Sequence, residues 1–81
     1  MKLAILKEDK KNIDSEIINK YSFEEISFGE VCDILFVSNK LLLKRFIKSI
    51  TYHDYNLFET FEINYIVVGD SNLLDEIVES L

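Results

Sequence analysis

The apolar residues of this chain change period several times, and each change marks an element. A short apolar run from Lys2 to Lys7 opens the sequence, bounded by the charged stretch Glu8 to Lys11, and reads as a strand. Ile13, Ile17, Ile18 and Tyr21 then fall on one face of a helix, with Asn12 as the expected N-cap and Asp14 and Glu16 favourably placed in its first turn. Phe23, Ile26 and Phe28 form a short strand-like segment ending at Gly29.

Residues 31–37 (V-C-D-I-L-F-V) are apolar at nearly every position. A strand covered on one face alternates, whereas a continuous β-branched and aromatic run points to a central strand covered on both faces. Ser38-Asn39 supplies a helix cap, and Leu42, Leu43, Phe46, Ile47 and Ile50 give the next helix its apolar stripe. Tyr52 to Leu57 reads as loop. Phe61, Ile63 and Tyr65 alternate with polar residues before Ile66-Val67-Val68 runs into Gly69, so the far half of this strand is expected to be the more deeply buried. Ser71 or Asn72 is expected to cap a last helix, with Leu73, Leu74, Ile77, Val78 and Leu81 facing inward.

The predicted order is β-α-β-β-α-β-α in one domain spanning residues 1–81. The preferred architecture is a small three-layer α/β fold: a four-stranded, mainly parallel sheet with helices on both faces. The alternative is a ferredoxin-like α+β sandwich, favoured by the short Gly29-Glu30 link, because parallel neighbours need a long crossover. The parallel reading therefore requires that the second and third strands not be adjacent. The expected core is Leu3, Ile5, Ile17, Ile34, Phe36, Phe46, Ile50, Ile66, Val68, Leu74 and Ile77.

In its parallel form the element order resembles that of the BRCT domain, and Ile66-Val67-Val68…Leu73-Leu74…Ile77 is similar to the way that family ends. The family's aromatic in the last helix is missing, with Asn72 or Leu73 in its place. Lys20-Tyr21-Ser22 stands where its Gly-rich turn would be, and Lys7-Glu8 where it has a phosphate-binding Ser or Thr. Phosphopeptide binding does not carry over.

Charge is sorted along the chain. No acidic residue lies between Asp33 and Asp54, where Lys40, Lys44, Arg45 and Lys48 fall, and no Lys or Arg follows Lys48. The net charge of −6 over 81 residues argues against general binding to a nucleic-acid backbone. The single cysteine excludes an internal disulfide and points to a reducing, cytoplasmic setting. The N-terminal apolar run is too short for a secretory signal, and no stretch approaches the ~20 apolar residues of a membrane span.

Candidate chemistry is thin. Cys32, His53 and Asp54 have the residue types of a thiol nucleophile and its partners, but Cys32 sits in the first half of a buried strand, whereas sites in parallel sheets gather at the carboxyl ends. No metal-ligand spacing and no Gly-rich phosphate loop occurs, so no cofactor or metal is expected. A ligand edge would use Asp9, Ser38, Asn39, Asp70 and Ser71. The second candidate is the outer face of the basic helix, where Leu41 and Tyr52 point out among Lys44, Arg45 and Lys48, as apolar anchors ringed by cations do at protein contacts. The expected function is a non-enzymatic protein-interaction module, in one version an inhibitor or immunity-type protein, with a homodimer also compatible. The alternative is a small ligand- or nucleotide-binding domain using the sheet's carboxyl edge.

Overall fold

The computed structural model describes residues 1–27, 32–52 and 63–80, and within 40–52 the side chains of 40–45 and 47. Four strands, β1 (Leu3–Leu6), β2 (Glu24–Ile26), β3 (Cys32–Val37) and β4 (Ile63–Val68), form one sheet in the order β2-β1-β3-β4. Every pairing is parallel, with Ala4 opposite Glu24 and Leu35, and Leu35 opposite Ile66. Because β1 lies between β2 and β3, those two strands are not neighbours. The condition on the parallel reading is met, and the hairpin alternative is excluded.

Successive side chains of a strand leave on opposite sides, so the continuous apolar run of β3 feeds two cores. One holds Ala4, Leu6, Ile26, Cys32, Leu35, Val37 and Leu42, with Leu43 packed against it from α2 (Lys40–Tyr52). The other holds Ile5, Ile13, Ile34, Phe36, Val67 and Leu74, covered by Ile17 and Ile18 of α1 (Ser15–Lys20) and by Ile77 and Val78 of α3 (Ser71–Ser80). Helices therefore lie on both faces. Each fully buried aliphatic side chain contributes about 1.5–3 kcal/mol, and Ile5, Ile34, Leu35 and Leu74 are all at or below 1% exposure.

Two aspartates stitch the sheet at its ends. At the amino ends the Lys2 N–H donates to Asp33 Oδ2 at 2.6 Å, while the Asp33 N–H returns a bond to the Lys2 carbonyl at 2.9 Å. The Ile34 N–H shares that carbonyl at 3.2 Å, a bulge-like doubling. Cys32 and Leu35, three positions apart on either side of this contact, enter the same core. At the carboxyl ends Asp9 plays the corresponding part.

Several expectations need correction. The first strand ends at Leu6 rather than Lys7, and Lys7–Asn12 forms a 3-10 helix that the sequence did not announce. Asn12 closes it and gives its side-chain amide to Asp9, so α1 is capped instead by Asp14, whose carboxylate accepts the Glu16 N–H. Asp70, not Ser71 or Asn72, caps α3 by accepting the Leu73 N–H at 3.0 Å. Tyr52 ends α2 rather than opening a loop.

Ile66 is 37% exposed, and Val67 is the fully buried residue, because β4 is an edge strand whose Val67 faces α1 and α3. Val68 and Ile77 are half-buried. Ile47 and Leu73, each 43% exposed, sit on the flanks of their helical stripes rather than at the centre. The expectations for Phe28, Phe61 and Leu81, and for the side chains of Phe46 and Ile50, lie outside the described residues.

Candidate functional site

The carboxyl ends of β1, β3 and β4 bring Asp9, Ser38 and Gly69 together. Asp9 is fully buried. Its Oδ2 accepts the Ser38 N–H at 2.8 Å, and its Oδ1 accepts both the Ser38 hydroxyl at 2.5 Å and the Asn12 amide at 3.2 Å. A buried carboxylate is tolerated only when its lone pairs are met in this way.

Asn39 and Asp70 are similarly engaged. The Asn39 amide donates to Ser38 Oγ, and Asn39 Oδ1 caps α2 by accepting the Leu42 N–H at 3.0 Å, as the Ser38-Asn39 pair predicts. Asp70 caps α3, and Ser71 begins it half-buried. Gly69 donates its N–H to the Val37 carbonyl at 2.8 Å and turns the chain with φ +65°, a conformation glycine adopts without cost. Sequence patterning brings these edge residues to one place; the side chains of Asp9, Ser38, Asn39 and Asp70 are spent on holding strand ends and helix starts.

Two shallow hollows flank this edge. One, of about 150 Å³, is bordered by Asn12, Asp14, Ser38 and Gly69 over Ile13, Ile17 and Phe36. The other, of about 260 Å³, lies between α1 and α3 and includes Lys20, Tyr21 and Asp75. Both fall below the ~300–1,000 Å³ of ordinary small-molecule pockets. The second is closed across by a clasp: Lys20 Nζ lies 3.0 Å from Asp75 Oδ1, and the Tyr21 hydroxyl donates to the same oxygen.

Cys32 is buried at 5% exposure, and burial pushes its thiol from 9.0 to about 11, with Lys2 opposing and Asp33 reinforcing the shift. A thiol so disposed is protonated at neutral pH and is a poor nucleophile. His53 and Asp54 lie outside the described residues. Among the described residues no cluster of three or more His, Cys, Asp or Glu is placed to hold a metal ion, and no helix is long and apolar enough to cross a membrane.

The outer face of α2 is built differently. Leu42 is buried and Leu43 half-buried against the sheet, which turns Leu41, Lys44 and Arg45 away from it. Leu41 is 59% exposed, and Lys40, Lys44 and Arg45 are exposed around it. The ion pairs of the described residues join Lys2 to Glu24, Lys10 to Glu25 and Lys20 to Asp75. None involves α2. Lys48 and Tyr52 belong to the same helix, and their side chains lie outside the described residues. The face combines an exposed apolar anchor with cations that no described carboxylate neutralises.

Compared with known protein families, with curated proteins and with solved structures, the chain matches none. The resemblance to the BRCT domain remains one of element order.

Proposed function

We propose that this chain is a small non-enzymatic protein-interaction module, working in the cytoplasm, that docks on another protein through the outer face of α2. The observation that carries the reading is Leu41, 59% exposed beside Lys44 and Arg45 with no described counter-charge. An anchor that gains by desolvation, ringed by charges that steer the encounter, is the usual make-up of a docking patch. Lys48 and Tyr52 extend the same proposal along the helix.

A narrower version, an inhibitor or immunity-type protein, would use the anionic side instead. It draws on Leu73, 43% exposed on α3 with the exposed Glu76 one turn further on. The ligand-binding alternative is the weaker one at this edge, since its carboxylates are engaged and the hollows among the described residues are small.

A thermal-shift screen against nucleotides and phosphorylated metabolites separates the classes. A ligand at ~100 times its Kd would add roughly 2.7 kcal/mol of stability. The docking reading predicts no shift with any small molecule and recovery of a partner protein by affinity capture from the native cell. A reproducible shift with a nucleotide would move the function to the sheet's carboxyl edge.

A further inference from the structure

α2 and α3 occupy opposite sides of the sheet. α2 packs on the side of Ala4, Leu6, Leu35 and Val37, and α3 on the side of Ile5, Ile34, Phe36 and Val67. Each carries an exposed leucine beside charges of a single sign, at the outer face of α2 and at the flank of the apolar stripe on α3. On α2 it is Leu41 with Lys44 and Arg45 a turn later; on α3 it is Leu73 with Glu76 a turn later and Glu79 beyond. The two patches are thus alike in composition and opposite in charge, and they belong to helices on opposite sides of the sheet.

We propose that the α2 patch is a seat for a second copy of this chain, held through that copy's α3 patch, so that copies stack head to tail. This goes beyond docking on a different protein but rests on the same reading of α2 as a contact surface. Charge complementarity selects the pairing. α2 against α2, or α3 against α3, would place like charges together and is penalised, whereas α2 against α3 joins opposite charges and buries Leu41 and Leu73. Because the joined surfaces differ, the contact is heterologous. Because they lie on opposite sides of the sheet, each added copy leaves one patch open, so the assembly extends instead of closing at two.

The test is sedimentation of the purified full chain, whose single-copy mass is 9.5 kDa, over a concentration series at near-physiological salt. The weight-average mass should rise with concentration and pass twice the single-copy value. Lys44→Glu with Arg45→Glu should abolish the rise, as should Glu76→Lys with Glu79→Lys. An equimolar mixture of the two double variants should restore it, since the reversed α2 of one now matches the reversed α3 of the other. Both variants stay anionic, because the wild-type net charge of −6 exceeds the four units either pair changes, so recovery reports the local patches.

Far-ultraviolet circular dichroism and a melt confirm that each variant is folded before mixing, and a misfolded variant cannot produce the recovery. A mass fixed at one copy throughout overturns the stacking while leaving docking on another protein standing. A plateau at two copies, or a mixture that stays dissociated, overturns it as well. Loss of partner capture with stacking intact would instead sink the docking reading alone.

Discussion

Asp9 takes both hydrogen-bond donors of Ser38, the backbone N–H at 2.8 Å and the hydroxyl at 2.5 Å, across the carboxyl ends of two neighbouring strands. The pair fixes where β3 turns into α2 and thereby aims the helix that carries the proposed contact face. A residue that a ligand-edge reading would assign to binding is, by its contacts, a strut of the fold.

Asp9→Ala should therefore destabilise the protein. It strands the Ser38 N–H, the Ser38 hydroxyl and the Asn12 amide, and a loss of about 2–4 kcal/mol is expected from groups left unpaired beside a vacated buried site. Chemical denaturation measures it. Binding residues removed from a site often leave stability unchanged or raise it. An Asp9→Ala protein as stable as the parent would show that the carboxylate is held for something other than the fold.

Gly69→Ala should cost about 1–2 kcal/mol from the left-handed backbone alone. An added Cβ would also lie 3.0 Å from the Ser38 carbonyl oxygen, a backbone atom with little room to yield. Gly69→Asn should be milder, since asparagine tolerates this conformation better. Equal midpoints for glycine and alanine in urea would contradict the turn.

Much of this was legible in the sequence, for identifiable reasons. The apolar run of β3, interrupted only by Asp33, favoured a two-sided strand over a hairpin, and the Asn39 cap followed from its place just before a helical stripe. Asp9 was not legible as a buried residue. It stands in Lys7-Glu8-Asp9-Lys10-Lys11, where nothing distinguishes it from Glu8, and only the 3-10 turn rotates it inward. The one available signal was at the other end: the carboxyl end of β3 beside that of β1, with Ser38 needing an acceptor. The caps of α1 and α3 were misplaced by a residue or two because several polar residues precede each helix and only coordinates show which one turns back. Ile66 read as core because pattern alone does not say that β4 is an edge, and Leu73 read as inward-facing because it borders the apolar stripe of its helix.

Cys32 should react slowly with a thiol reagent in the native protein and quickly once denatured, because burial blocks access and holds the thiol protonated. There is a linked effect on stability. The folded pKa, raised to about 11, lies above the ordinary value of 9.0, so the unfolded chain releases its proton first as pH rises. Stability is undiminished by this group below pH 9.0 and falls between there and about 11. Cys32→Ala should flatten that part of the pH profile. Rapid native labelling, or an identical alkaline decline in Cys32→Ala, would contradict the buried-thiol account.

The most direct test of the docking face compares three forms of the chain as bait in affinity capture from the native cell, with bound proteins quantified by mass spectrometry. Wild type and Glu76→Lys/Glu79→Lys should recover the same foreign partner. Lys44→Glu/Arg45→Glu should lose it at least tenfold, while its melting temperature stays near that of the parent, since exposed substitutions usually change stability by no more than about 0.5 kcal/mol. Partner recovery undiminished by Lys44→Glu/Arg45→Glu, with loss in Glu76→Lys/Glu79→Lys, would place the contact on α3 and contradict the assignment to α2.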